Sequence, residues 1–255
     1  MEFIDTHCHI HSSDYGLVAE EVIKNGQGVG VNTAIVVGTD LEDSHLAVKF
    51  SQSHDNIYSS IGLHPHGAKL YVGEEEKLND FKKLALSNKV VAIGECGLDY
   101  HYKHSSADNQ KEILRFQLNV AKEINLPLIF HVREAFDDFW HIFDEFKGLR
   151  GVIHSFSASN RELDQIMSRG LYIGLNGIMT FTKNQTQLDA AKAAPLNRIV
   201  LETDSPFLTP APHRGTIAQL KHVTNIADFL AKLRKESIEE FSQATTNNAK
   251  TLFNI

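Results

Sequence analysis

The stretch Val90-Val91-Ala92-Ile93-Gly94-Glu95 is a run of small and β-branched residues that ends in a carboxylate. Such continuous apolar runs are typical of strands in parallel sheets, because helices cover both faces of the sheet. Alternate side chains of a strand share a face, so Glu95 follows Val91 and Ile93 on one side. A carboxylate there is costly unless it is paired or binds a metal ion. The stretch predicts a buried parallel strand that ends in a functional group, with a salt-bridged glutamate as the alternative.

The same unit, a short β-branched run followed by a segment with helical periodicity, occurs eight times along the chain. The predicted strands are Phe3–His7, Ala34–Gly38, Ile57–Gly62, Val90–Glu95, Leu128–His131, Val152–His154, Leu171–Gly174 and Ile199–Glu202. The predicted helices are Leu17–Asn25, Ser44–Ser53, Glu74–Ser87, Asp108–Ile124, Phe136–Phe146, Arg161–Arg169, Gln185–Ala194 and Ile217–Lys235, and Ser237–Phe253 adds one or two short ones. Alternating strands and helices indicate parallel pairing through crossovers, in a closed barrel or an open doubly wound sheet.

The polar residues at the strand ends decide between these two folds. Metal-competent residues follow six of the eight predicted strands: His7 and His9, His64, Glu95, His131, His154 and Asp204. In a barrel, catalytic groups come from the carboxyl ends of several strands, whereas an open sheet concentrates them at one switch point, usually with a glycine-rich phosphate loop. The chain has neither GxGxxG nor GxxxxGK[ST]. We therefore predict an α/β fold, a (β/α)8 TIM barrel with an extra C-terminal helix, in a single domain over residues 1–255.

Composition narrows the class of protein. The net charge of −7 argues against a generic basic nucleic-acid binder, although bound metal ions could supply local positive charge in a nuclease. Two cysteines exclude a disulfide framework and suit a reducing compartment. The first ten residues, MEFIDTHCHI, lack the features of a signal peptide, and no stretch is apolar enough for a membrane span. These observations predict a soluble cytoplasmic protein with no membrane association and no obligate protein partner.

The pair His7 and His9 ends the first predicted strand with both imidazoles on one face, which leaves Cys8 on the other. Two histidines at a strand end suit a divalent ion; the alternative is ordinary surface or core packing. Asp5 and Glu202 lie two residues before His7 and Asp204, one layer deeper, so we interpret them as partners that orient imidazoles.

The full set of predicted ligands offers four imidazole nitrogens and two carboxylates: His7, His9, His131, His154, Glu95 and Asp204. A lone histidine at a strand end is more often a core residue, and Asp204 before Pro206 could be a turn cap. Taken together, however, these ligands exceed what one tetrahedral ion needs. Two ions about 3.5–4 Å apart would use them all, with Glu95 as the candidate bridge, and such pairs catalyse displacement at phosphorus. Mixed nitrogen and oxygen ligation fits Zn, Mn, Co or Ni, and Mg less well.

Cationic residues near these positions predict an anionic substrate. His64 follows the third strand, Arg133 lies two residues beyond His131, and Arg214 follows the eighth strand. An arginine can bind two phosphate oxygens at once. The alternative for all three residues is an ordinary surface charge on a loop. Tyr100 and Phe207 are candidates for stacking a base, or for packing.

The motifs FIDTHCHI, GLHPH, IGECGLDYHY, IFHVREA, HSFSAS, LETDSPFLTPAPHRG and TTNNAKTLF follow one another along nearly the whole chain. In this the chain resembles the TatD family of metal-dependent deoxyribonucleases. The resemblance implies a TIM barrel that cleaves DNA phosphodiesters, as a 3′→5′ exonuclease on single strands or strand ends. It also implies that one ion is held by His7, His9, Glu95 and Asp204, and a second ion by Glu95, His131 and His154. Asp204 would accept a proton, and His64 would bind phosphate.

Two departures from the family pattern stand out. The segment Thr216–Leu220 replaces a basic, Asn/Glu-Pro-containing stretch, whereas Cys96 and Ser155 replace commoner residues on faces predicted to point away from the ions.

The first alternative function is an amidohydrolase that acts on a small ester, lactone, amide or phosphotriester. Many such enzymes bridge their ions with a carbamylated lysine, and no lysine ends a predicted strand here, which favours the nuclease. The second is a barrel kept only as a scaffold, which would be expected to have lost ligands.

Overall fold

The computed structural model describes residues 1–12 and 16–255. Within these ranges the strands are β1 (Phe3–Cys8), β2 (Val31–Val37), β3 (Ile57–Ile61), β4 (Val90–Asp99), β5 (Leu128–Arg133), β6 (Gly151–Ile153), β7 (Tyr172–Leu175) and β8 (Ile199–Leu201). The α-helices are α1 (Ala19–Gln27), α2 (Leu41–Gln52), α3 (Glu75–Leu84), α4 (Ala107–Ile124), α5 (Phe136–Phe143), α6 (Asn160–Ser168), α7 (Ile178–Phe181), α8 (Gln185–Ala193), α9 (Val223–Arg234) and α10 (Ile238–Phe253). Short 3-10 helices cover Pro65–Leu70, Leu196–Arg198 and Leu220–His222.

The strands belong to one sheet whose order follows the sequence from β1 to β8. A helix follows every strand, so the (β/α)8 topology predicted from the sequence is confirmed. In the part of the chain that the structure describes, no helix is long and apolar enough to cross a membrane.

The chain divides into two compact units, the first of which comprises residues 1–36 and 154–255. In this unit β1 pairs in parallel with β2, and β7 with β8. The registers are Phe3↔Val31 to Cys8↔Val36 in the first pair and Ile173↔Ile199 to Leu175↔Leu201 in the second. A parallel bridge between Cys8 and Ser205 places the segment after β8 beside the end of β1. The carboxyl ends of the first and eighth strands are therefore neighbours.

The second unit comprises residues 37–153 and contains β3, β4, β5 and β6 in parallel register. Its core includes an aromatic cluster in which the buried Phe139 ring of α5 lies 5.0 Å from Phe130, 4.9 Å from Trp140 and 5.9 Å from Phe143. Helix α5 is thereby fixed against β5.

Strand β4 extends four residues beyond its predicted end at Glu95, as far as Asp99. The extension pairs with β5, where Gly97 lies opposite His131 and Asp99 opposite Arg133. Gly97 permits this close approach, because it has a φ of +152° and a Cβ atom there would collide with the His131 carbonyl oxygen. The sequence-based boundary was wrong because a charged residue followed two positions later by a glycine resembles a strand end.

One helix prediction also needs correction, and one helix was missed. The predicted helix Ile217–Lys235 begins as α9 only at Val223, because the preceding backbone bonds elsewhere: Ala218 N–H donates to the Pro206 carbonyl at 3.1 Å. Helix α7 was not predicted, since four residues are too few for a periodic pattern.

The C-terminal segment Ser237–Phe253 forms one continuous helix, α10, as the extra C-terminal helix of the prediction. Ser237 caps its N-terminus. The hydroxyls of Ser242 and Thr246 donate to the carbonyl of Glu2, at 2.7 Å and 2.8 Å. Helix α10 therefore satisfies a backbone group just before β1.

Replacing Phe139 with alanine removes the central ring of the aromatic cluster and leaves a cavity. We expect the free energy of unfolding to fall by about 3–5 kcal/mol. Equilibrium urea denaturation measures the change. The control is Leu86→Ala, which truncates a side chain that is 71% exposed and should cost less than about 0.5 kcal/mol. Equal stabilities of the two variants would show that the cluster does not support the core.

Candidate metal centre

Three ligand atoms converge in the first unit, where β1 ends beside the segment after β8. His7 Nε2 and His9 Nε2 are 3.3 Å apart. Asp204 Oδ1 lies 3.6 Å from the first nitrogen and 3.5 Å from the second. The predicted shared face of the two histidines is therefore confirmed, because both imidazoles reach one carboxylate.

The backbone around this cluster is held by buried hydrogen bonds. Asp204 N–H donates to the His7 carbonyl at 2.9 Å. Asp5 accepts the N–H of Thr203 at 2.9 Å, its hydroxyl at 2.5 Å and the N–H of His7 at 3.3 Å. Burial raises the pKa of Asp5 to about 7, against the lowering effect of these bonds. Asp5, predicted to orient an imidazole, thus ties the backbone of β1 to the segment after β8.

His154 stacks on His7 in the same unit, with ring centroids 3.6 Å apart and an interplanar angle of 20°. Its Nδ1 lies 3.0 Å from Glu202 Oε1. That carboxylate is held in turn, because it accepts the N–H of Ser155 at 2.6 Å and the side-chain amide of Asn176 at 3.3 Å. Glu202 was predicted to orient a ligand, and its partner is His154. Ser155 acts on this glutamate through its backbone.

Three further ligand atoms converge in the second unit, at Glu95. His131 Nδ1 lies 2.9 Å from Glu95 Oε1, and His64 Nε2 lies 3.6 Å from the same oxygen. Together the three residues could hold a metal ion. Burial lowers the pKa of His64 to about 3 despite the opposing charge of Glu95, so its imidazole is neutral at pH 7. A neutral imidazole is the form that binds metals.

A residue that the sequence analysis did not identify, Asp99, completes this cluster. Its Oδ2 accepts from His131 Nε2 at 2.9 Å and from His66 Nε2 at 3.0 Å. Burial raises the pKa of Asp99, but the hydrogen bonds from His131, the Tyr102 backbone and His66 outweigh it and hold the pKa well below its usual range. The signal was present in the sequence: Asp99 lies on the Glu95 face of β4, four residues on.

Both clusters come close to the spacing of ligands that share an ion. Ligand atoms at about 2.1 Å from one ion lie about 3.0–3.4 Å apart for bond angles between 90° and tetrahedral. The separations measured from Asp204 and Glu95 to their histidines, and between His7 and His9, fall between 2.9 and 3.6 Å. Carboxylate oxygens only accept hydrogen bonds, and a neutral imidazole has one N–H. Such crowded acceptors fit a bound cation.

The predicted substrate-binding arginines differ in environment. Arg133 is exposed and its guanidinium lies 4.8 Å from the Tyr102 ring centroid. Arg214 is exposed too; its guanidinium lies 3.8 Å from the centroid of the Phe181 ring and donates to the Thr209 carbonyl at 2.8 Å. Each arginine thus packs on an aromatic ring, and Arg214 is in addition hydrogen-bonded within its own loop.

The two aromatic candidates for stacking also separate. Tyr100 Oη donates to Asp138 at 2.7 Å, which fixes its ring. Phe207 is 43% exposed, and its ring centroid lies 6.1 Å from that of His9. Only Phe207 combines an exposed ring with contact to a predicted ligand.

The segment Thr216–Leu220, which departs from the family pattern, is hydrogen-bonded to the loop that carries Arg214, and we call this segment the strap. Thr209 Oγ1 donates to the Thr216 carbonyl at 2.6 Å, and Ala218 N–H donates to the Pro206 carbonyl. These contacts use the backbone of the segment, so they do not depend on which exposed side chains the segment carries.

Comparison with known proteins places the chain among metal-dependent hydrolases. A family model described as TatD related DNase matches residues 4–254. The chain is 38% identical over 253 residues to an uncharacterized metal-dependent hydrolase, YabD, of Bacillus subtilis (strain 168), and the match covers 98% of each protein. It is 30% identical over 261 residues to the 3′-5′ ssDNA/RNA exonuclease TatD of Shigella flexneri serotype 5b (strain 8401), again over 98% of each.

The fold agrees with these sequence matches. The crystal structure of YJJV, a TatD homologue from Escherichia coli K12, superposes with a TM-score of 0.91 at 29% identity, covering 99% of this chain and 98% of that one. The likeness confirms the predicted TIM-barrel fold class. Because the family model and the relatives span the chain from end to end, it belongs to the TatD-related DNase family of metal-dependent hydrolases.

Proposed function

We propose that this hydrolase cleaves phosphodiester bonds of single-stranded DNA or DNA strand ends, as a 3′→5′ exonuclease with two divalent ions. The observation that carries the proposal is the spacing of ligand atoms in the two clusters, around Asp204 and around Glu95. The relative described as a 3′-5′ ssDNA/RNA exonuclease supports the choice of substrate.

The ligand assignment is the one that the family resemblance implies. One ion would be held by His7, His9, Asp204 and Glu95, and the other by Glu95, His131 and His154. Glu95 would bridge both with its two oxygens. The mixture of imidazole and carboxylate donors fits Zn, Mn, Co or Ni better than Mg.

The ions would polarise a phosphoryl oxygen and would lower the pKa of water enough for hydroxide to be available at neutral pH. The chain's own groups would do the rest. Asp204, beside both histidines of its cluster, would accept the proton of the attacking water. His64 and the exposed Arg133 would bind phosphate oxygens, Arg133 in a bidentate manner. Arg214 would contribute only if it left Phe181 and the Thr209 carbonyl.

Metal removal and restoration tests the proposed activity. We expect metal-stripped protein to leave 5′-labelled single-stranded DNA intact, and Mn²⁺ or Zn²⁺ to restore stepwise loss of 3′ nucleotides. Gel electrophoresis of the products measures it. A 3′-phosphorothioate substrate is the control for processing from that end. Turnover of a lactone or phosphotriester without any cleavage of DNA would overturn the nuclease assignment in favour of the amidohydrolase alternative.

Substitution of Glu95 tests the proposed bridge. Glu95→Ala should lower kcat by more than about 100-fold and reduce the number of ions bound, because it removes a shared ligand. Steady-state kinetics and metal analysis of the purified protein measure both effects. Glu123→Ala, an exposed position on α4, is the matched control. A Glu95→Ala protein with two ions and normal kcat would rule out the bridging role.

Gly174→Ala tests how His154 is held. A Cβ atom at Gly174 would collide with the Glu202 carboxylate, which must then move from His154. We expect affinity for Mn²⁺ to fall about 10–100-fold, as for other partners of metal-binding histidines. Titration calorimetry of metal-stripped protein measures it. Gly28→Ala is the control in the same unit, because its Cβ would meet nothing closer than 3.5 Å. Unchanged affinity in the Gly174 variant would contradict a role for Glu202 in metal binding.

A further inference from the structure

Asp99 divides its two carboxylate oxygens between two tasks. Oδ1 accepts the backbone N–H groups of His101 at 2.9 Å and Tyr102 at 2.8 Å. Oδ2 accepts from His131 Nε2 at 2.9 Å and from His66 Nε2 at 3.0 Å. The side chain is 1% exposed. Backbone N–H groups can only donate hydrogen bonds, so these two bonds fix the orientation of the carboxylate.

The backbone of Asp99 is equally constrained, by the side chain of Gln110 on α4. Gln110 Oε1 accepts Asp99 N–H at 2.8 Å, and its Nε2 donates to the Asp99 carbonyl and the Ser105 carbonyl, both at 3.0 Å. Gln110 is 2% exposed. The hydrogen bonds from Gln110 thus fix the backbone of Asp99. Such support is typical of a residue that holds another side chain in place.

The contacts of His131 indicate what Asp99 does. A carboxylate only accepts hydrogen bonds, so the nitrogen that faces Asp99 must carry a proton. In the neutral ring the other nitrogen, Nδ1, then carries no proton and presents its lone pair. That nitrogen lies 2.9 Å from Glu95 Oε1, a second acceptor. Two acceptors at this distance are stabilised by a cation that binds both.

We propose that Asp99 is a positioning residue that keeps neutral His131 in its Nε2–H tautomer, so that Nδ1 is the ligand atom for a divalent ion shared with Glu95. The inference rests on the proposed metal centre and names the atom by which His131 joins it. His66 Nε2 contacts the same oxygen, Asp99 Oδ2, and so further restricts the movement of the carboxylate. No contact of Asp99 with the ion or the substrate is implied.

The substitution Asp99→Asn separates this role from a merely structural one. The two backbone N–H groups require an oxygen, so the amide nitrogen of asparagine must take the position of Oδ2. There it donates to His131 Nε2, which forces the proton onto Nδ1 and removes the free electron pair. We expect an isosteric change to lower the affinity for Zn²⁺ about 10–100-fold. A structural role alone predicts loss of stability without loss of affinity.

Two measurements test the proposal. Calorimetric titration of metal-stripped protein with Zn²⁺ compares the wild type with Asp99→Asn. Asp40→Asn is the control for the chemical change, because Asp40 caps α2 by accepting Asp43 N–H at 2.8 Å. The second measurement needs no variant: ¹⁵N NMR of the Zn²⁺-loaded wild type should show His131 protonated at Nε2 and coordinated through Nδ1.

Coordination through Nε2, or an Asp99→Asn protein that binds Zn²⁺ as tightly as the wild type, would overturn the role of Asp99. Failure of the proposed function is a different result. A wild type that binds Zn²⁺ through His131 Nδ1 but leaves DNA intact would remove the nuclease assignment and support the role of Asp99.

Discussion

The constraint on which the rest of this structure depends is electrostatic: atoms that accept hydrogen bonds are held within about 3–4 Å of one another at the strand ends. The two clusters around Asp204 and Glu95 both have this character. Such atoms repel unless protons or metal ions lie among them. The fold must therefore hold them in place, and it does so with buried hydrogen bonds to backbone N–H groups and to the side chains of Thr203, Asn176 and Gln110. Rigid placement of this kind is what a preorganised metal site requires.

Each of the two units solves this problem in the same way. In one unit His154 is backed by Glu202, which is fixed by a backbone N–H and by Asn176. In the other, His131 is backed by Asp99, which is fixed by two backbone N–H groups and by the grip of Gln110 on its own peptide groups. Each imidazole thus lies beside a carboxylate that is itself held by hydrogen bonds from the backbone and from amide side chains. Substitutions behind the ligands should matter nearly as much as substitutions of the ligands themselves.

Much of this arrangement could be predicted from the sequence, because strand parity and strand ends are periodic features. The topology, the shared face of His7 and His9, and the place of Glu95 all follow from alternation in short apolar runs. Asp99 was not placed in the same way, because the predicted strand ended at Glu95 and the role of Asp99 depends on the pairing of β4 with β5 beyond that point, which is a tertiary contact. The packing of Arg214 on Phe181 is equally non-local. Periodicity shows which way a side chain points along its own strand, but not what it meets there.

The strap formed by Thr216–Leu220 has a consequence for how the family can vary. It holds its loop through the main-chain groups of Thr216 and Ala218, whose hydrogen bonds are available to almost any residue type. Ala218 is fully buried and restricts size, but its neighbour Ile217 is 44% exposed. Substitutions can therefore change the exposed residues of the segment while its backbone conformation is preserved. A lineage can change the chemistry presented beside the site in this way without rebuilding the barrel, and divergence of substrate range among relatives can begin there.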